Sequence, residues 1–316
     1  MSNLQFSLMA IRGIHFAATA LVTGELVFRM VVVEPAMIST KATAPVVRSL
    51  IRQTAWISLA IAAISGAIWL LLEAVSMSRL PFGEAMTWKV LSTLLSETQF
   101  GLVSESRFVL AIILAACLAH DQVVPLRWLA LCSALGLMAT IAWTGHAGAT
   151  PGAIGNLHLV VDALHLVAAA AWVGGVFPLA LLLNSARRNR TIEWASLAWS
   201  SVLRFSTLGI ITVETLLVTG IVNAWLLVGS VHALLFTKYG QLLTLKLIVF
   251  GLMLLFAAVN RFCLTPQLAP PIEDKARLRA LHQLTRNSAA EVALGLAIFA
   301  IVGLLGTMCP AIDVMK

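Results

Sequence analysis

Hydrophobic residues run in long, nearly unbroken blocks, and polar residues collect in short stretches between them. This is neither the alternation of a half-buried strand nor the narrow apolar stripe of a helix on a soluble core. A helix that crosses a bilayer needs about 20 consecutive apolar residues. On that measure the pattern predicts eight spans, over about 8–33, 54–75, 100–119, 125–145, 157–183, 203–228, 241–261 and 289–308. The third has a clean apolar run only from Phe108 to Ala119. It crosses only if its helix starts near Phe100 and takes Glu105 and Arg107 into the interface. The stretch 76–99 contains MTWKVLSTLLSET, which fits an amphipathic helix lying on the membrane surface. No period of 20–50 residues repeats. The expected fold is an all-α polytopic transmembrane helical bundle, one integral membrane domain over 1–316. It divides into a four-span part at 1–139 and a core at 140–316.

Composition agrees: 60% of the 316 residues are hydrophobic and 11% charged. A soluble core cannot bury that much apolar surface, so lipid is the solvent for most of the chain. The net charge of +7 would suggest nucleic acid in a soluble protein, but here its placement matters more than its size. With eight spans, one side holds Lys41, Arg48, Arg52, Arg127, Arg187, Arg188, Arg190, Lys275, Arg277, Arg279 and Arg286. The other holds Arg79, Lys89, Lys238 and Lys316. Basic loops stay in the cytoplasm, so both termini are expected to be periplasmic. The first span lacks a basic leader and a cleavage site and reads as retained. Cys117, Cys132, Cys263 and Cys309 form no C-x-x-C pair, so neither a disulfide framework nor a thiolate clip is indicated.

The chemistry concentrates between Gly145 and Pro178, in GHAGATPGAIGNLHLVVDALHLVAAAAWVGGVFP. His146 ends span four at the outer face. His158, Asp162 and His165 lie on the first two turns of span five. At about 100° per residue these three form one narrow stripe. Ionisable groups inside a span are costly and mark functional sites by default. Imidazole with carboxylate is metal-ligand chemistry, or else a hydrogen-bonded structural cluster. His15 of span one is expected at a similar depth to His165, and a metal bridges them if spans one and five are neighbours.

Other polar residues carry weaker readings. Glu25 and Arg29 fit an intrahelical ion pair. Glu214, near the middle of span six, pairs with Lys246 or belongs to an ion path, whereas Lys246 is also close enough to its span's end to snorkel. Asn223, Asn260 and Glu291 suit bonds between helices. Met308 and Cys309, at the outer end of span eight, are soft ligands, and His232 is a candidate capture residue. His120 and His282 read as ordinary cytoplasmic loop residues. Gly174, Gly175 and Pro178 suit close packing or a hinge in span five. No nucleophile–base pairing identifies an enzyme.

The run GH followed by LHLVVDALHLVAAAAWVGGVFPLALL is similar to the copper resistance protein D (CopD) family of bacterial inner-membrane proteins. RFSTLGIITVETLLVTGIVNAW, KYGQLLTLKLIVFGLMLLFAAVNRFCLTPQL and the final span from Glu291 carry the same resemblance. It covers about 140–308 in detail and 1–139 in span pattern and the QFGLVSESR segment. The resemblance implies a copper ion as ligand, commonly moved from periplasm toward cytoplasm, and a periplasmic CopC-like copper-binding protein acting in trans. It places the histidine-bearing motif on His146, His158 and His165 with Asp162 between. His15 then adds a fifth candidate ligand, and Glu214 and Met308 are the candidate stepping stones of an ion path. Two other functions stay open. One is a haem b-binding electron carrier with His15 and His165 as axial ligands. The other is a copper sensor or assembly partner that moves nothing.

Overall fold

The computed structural model describes residues 3–39, 43–269 and 274–314, so Lys41 and Lys316 of the charge count lie outside the described residues. Among the described residues, eight helices are long and apolar enough to cross a membrane: Asn3–Ala36, Ala44–Ser78, Gln99–Ala119, Val124–Thr144, Gly152–Asn189, Ile192–Val228, Lys238–Leu268 and Lys275–Leu305. These are spans one to eight. Several outrun the sequence prediction because capped, polar turns extend them beyond the apolar core. Span six, for example, starts where the Thr191 hydroxyl accepts from the Trp194 amide. Span three starts the same way, with Thr98 accepting from the Gly101 amide.

Spans one and five form the centre. Within the protein, 78% and 67% of their apolar windows are buried, against 17% for span six and 11% for span seven. Polar side chains on spans one and five are therefore held in protein, whereas those on spans six and seven reach either protein or lipid. Surface helices at Trp88–Glu97 and Val231–Phe236 precede spans three and seven. The first is the amphipathic helix expected from the sequence.

The loops predicted to be cytoplasmic do lie together. Arg29 donates to Asp121 at 3.0 Å and pairs with Glu34 at 3.4 Å, and Glu34 also holds Arg48 at 2.6 Å and Arg127 at 3.5 Å. Arg187 and His282, from the next two inner loops, meet at 2.8 Å. The expected Glu25–Arg29 pair is not formed. Arg29 turns toward the denser cluster of carboxylates, and Glu25, wholly buried, meets the hydroxyls of Thr54 and Ser58, the latter at 3.5 Å.

The two halves of the chain repeat each other, four spans against four. One offset relates His15 to His165, Ala20 to Ala170 and Gly24 to Gly174. The glycines meet reciprocally at the crossing of spans one and five: a Cβ on Gly24 would strike the Ala170 carbonyl, and one on Gly174 the Ala20 carbonyl. Such exchange of equivalent contacts is the mark of a two-fold relation. Because each half has four spans, both insert the same way round, and the axis lies along the membrane normal. Other features repeat at similar offsets. Ser65-Gly66 on span two matches Thr219-Gly220 on span six, and Thr98-Gln99-Phe100-Gly101 matches Thr237-Lys238-Tyr239-Gly240. Arg107 and Lys246 each stand two helical turns beyond the last pair.

Candidate metal-binding site

The outer end of span five packs against span six, and polar side chains join them in antiparallel register. His165 Nδ1 lies 2.9 Å from Thr219 Oγ1, and about one turn outward Asn223 donates to Asp162 Oδ1 at 3.1 Å. The Thr219 hydroxyl has one proton, and its 2.6 Å contact to the Thr215 carbonyl takes it. Thr219 must then accept from His165 Nδ1–H. That tautomer leaves the His165 Nε2 lone pair free, as a metal-ligating imidazole requires. Gly220 faces the His165 ring, where a Cβ would stand 3.6 Å from Cε1. Lys246 of span seven turns inward, within electrostatic range of both Asp162 and His165. This inward turn replaces the snorkelling and the Glu214 pairing expected from its sequence position.

A turn and a half above, Thr150 links the other two histidines. Its hydroxyl contacts the His146 carbonyl at 3.1 Å and His158 Nδ1 at 3.0 Å. With its proton on the carbonyl, it accepts from His158 and leaves His158 Nε2 free. His158 is 1% exposed. His146 Nε2 lies 3.2 Å from the Leu305 carbonyl, which can only accept, so Nδ1 holds the free lone pair of that ring. The His146 ring also packs edge-on to Tyr239. Burial, the largest influence, holds the His146 imidazole below the ordinary histidine value; Arg12 acts in the same direction, and the Leu305 carbonyl and Asp313 oppose them.

His15 follows the same rule in a different pocket. Its Nδ1 donates to the Ala62 carbonyl at 3.0 Å, with Ser65 Oγ at 3.3 Å. Spans one and five are neighbours, and the matched offsets from Gly24 and Gly174 put His15 and His165 at similar depth. Their rings nevertheless bond to different helices, spans two and six. Among the described residues no three His, Cys, Asp or Glu side chains gather closely enough to hold a metal ion. The arrangement is a series of imidazoles, each hydrogen-bonded through one ring nitrogen and, among the described residues, without a hydrogen bond at the other.

Residues 1–156 match the family model described as copper resistance protein D-like, N-terminal domain, and residues 200–305 match that for copper resistance protein D. The chain is 32% identical over 215 residues to inner membrane protein YebZ of Escherichia coli strain K12, a match covering 68% of this chain and 70% of that protein. The chain belongs to the copper resistance protein D family. It is similar to copper resistance protein D of Pseudomonas syringae pv. tomato, 28% identical over 274 residues and covering 84% and 85% of the two chains. It also resembles copper transport protein CutJ of Bacillus subtilis strain 168, 33% identical over 167 residues, which cover 52% of this chain and 27% of CutJ. As a member of this family with eight apolar helices, it is a multi-pass inner-membrane protein.

Within this CopD-family chain, His15 and His146 fall in the first matched region and Glu214 in the second, whereas His158, Asp162 and His165 lie between them. Glu214 sits about 140° around span six from Thr219. It lines a separate cavity of about 340 Å³ among spans five to eight, beside Trp172, Phe205 and Arg261. Met308 packs on the apolar cluster that contains Tyr239 and Leu305, near His146. His232 stacks on Phe236 in an exposed surface helix. Asn260 does bond across helices, donating to Glu291 at 2.7 Å and accepting from Asn287 at 2.8 Å. Arg107 turns into the protein: it is 7% exposed and donates to Thr140 and Thr144 of span four. The orienting residues Thr150 and Thr219 were not singled out by the sequence. The signal for Thr219 is its spacing of four from Asn223, which sets both on one face of span six.

Proposed function

We propose that this protein binds copper at its periplasmic end and passes it inward, through His146 and His158 to His165 and Asp162. The observation that carries the reading is the shared hydrogen-bond logic of these histidines: each ring gives one N–H to a fixed acceptor and keeps a lone pair on the other nitrogen. Imidazole is a suitable ligand for copper, and the names of two relatives, copper resistance protein D and copper transport protein CutJ, support the metal. Asp162 supplies a buried negative charge, and Lys246 balances it while no metal is bound. Met308 adds a soft sulfur beside the mouth, and Glu214 stands apart from this line. A CopC-like partner, expected from the family resemblance, would deliver copper at His146. The function is binding and passage rather than chemical conversion.

Copper uptake into proteoliposomes tests this. The native chain is expected to carry copper inward, and His158→Ala and His165→Ala are expected to reduce uptake at least tenfold. Uptake untouched by both substitutions refutes the site. A strong Soret band in the purified protein, shifting on reduction, refutes the copper reading in favour of haem.

A further inference from the structure

The two-fold repeat makes a comparison possible within one chain. Around His165 the C-terminal half places Asp162, Asn223 and Lys246. Around His15 the N-terminal half places Arg12, Trp69 and Arg107 at the corresponding positions. Arg12 stands to His15 as Asp162 stands to His165, so a carboxylate in one copy is a guanidinium in the other.

Arg12 is only 8% exposed, and among the described residues it has no hydrogen-bond partner; its Nε is buried and unsatisfied. It lies over aromatic faces instead, 5.2 Å from the Trp69 ring centre and 5.9 Å from that of Phe16. Arg107 approaches the same indole at 5.3 Å and is close enough to repel Arg12. Glu73 accepts from Trp69 Nε1 at 3.1 Å and attracts Arg12 without forming an ion pair with it. Cation–π contact offsets only part of what it costs to bury a guanidinium. A guanidinium carries five N–H donors, and Arg12 spends none of them on a hydrogen bond among the described residues; its Nε is buried without an acceptor.

We propose that the N-terminal copy of the histidine pocket binds a small anion on Arg12, with Arg107 beside it. The two halves then hold pockets of opposite charge preference at the same depth: an anion site by His15 and a cation site by His165. The anion site stands on the orphaned guanidinium and does not depend on whether the other pocket binds copper. Its occupant is a single-atom or compact oxyanion, because Trp69, Phe16 and the end of span eight near Gly306 close around Arg12.

The test is thermal unfolding of the full-length protein in detergent at constant ionic strength, with chloride or inorganic phosphate replacing gluconate. A ligand that binds only the folded state raises the midpoint, here by on the order of a few degrees at saturation. The native chain is expected to show this rise with at least one of the two anions. Arg12→Gln is expected to abolish it and to melt higher than the native chain in gluconate, since the unpaired charge is gone. Arg12→Lys is expected to keep a weakened response, and Arg107→Gln to reduce it. No rise in the native chain with either anion, or an undiminished rise in Arg12→Gln, overturns the proposal. Copper titration of the same samples reports separately on the other pocket.

Discussion

Gly24 and Gly174 meet backbone to backbone at the crossing of the two central spans, each where the other's side chain would be. A Cβ on Gly24 would stand 2.3 Å from the Gly174 carbonyl carbon, and one on Gly174 2.2 Å from the Ala20 oxygen. Backbone cannot yield as a flexible side chain does, so Gly174→Val is expected to lose at least about 2 kcal/mol or to fail to accumulate folded. Gly209→Ala, with nothing within 4 Å, is the neutral control. Size-exclusion profiles and thermal midpoints of the two variants check this.

The Thr219 hydroxyl fixes the His165 tautomer, so under the proposed function its removal is expected to lower copper affinity through His165 alone. Thr219→Val keeps the shape and leaves His165 Nδ1–H without an acceptor. Copper affinity, measured by competition with a chelator, is expected to fall about 10–100-fold. Thr219→Ser is expected to restore it. Equal affinity in all three proteins would mean that His165 is not a ligand.

His146 sets a pH dependence whose sign follows from burial. Its imidazole lies below the ordinary value of about 6.5 in the folded chain. Above that ordinary value both folded and unfolded chains carry it neutral, and it adds no slope. Below it, the unfolded chain takes up a proton that the folded chain refuses, and stability falls with pH until the folded value is passed. The thermal midpoint of the native chain is therefore expected to drop between pH 7.5 and 5 more steeply than that of His146→Gln. Parallel curves would show that His146 is not held neutral by its surroundings.

At the inner end, Arg29 joins Glu34 and Asp121 with a guanidinium that is 2% exposed as a residue. Removing Asp121 leaves Arg29 with the longer Glu34 contact, and removing Arg29 leaves Asp121 with Arg52 at 3.7 Å. Asp121→Asn or Arg29→Gln alone is expected to destabilise, by less than the about 3–5 kcal/mol of a buried charge left wholly unpaired. The double variant is expected to cost less than the sum of the two, read as the coupling in a double-mutant cycle. Additive losses would contradict a direct interaction.

Much of this architecture was legible in the sequence. Eight apolar blocks gave eight spans because bilayer thickness fixes helix length, and the basic loops predict which side each end faces. The stripe His158, Asp162 and His165 was visible because helical periodicity is local. What was hidden depends on contacts between distant segments. Arg29 stands one turn from Glu25, yet Asp121, 92 residues away, holds it. Lys246 reads as a snorkelling residue until span five is seen beside it. The repeat escaped because its period is half the chain and its identities are few: a histidine, two glycines and a Thr-x-aromatic-Gly turn preserved by close packing, amid apolar positions where lipid tolerates many side chains.

The central claim is that oriented imidazoles at the periplasmic end hold copper. X-ray absorption of the copper-loaded protein reads the ligands directly. The account predicts nitrogen and oxygen scatterers with the multiple-scattering signature of imidazole, weakened in His158→Gln and His165→Gln. A sulfur-dominated shell, or an imidazole signature unchanged in both variants, would contradict it.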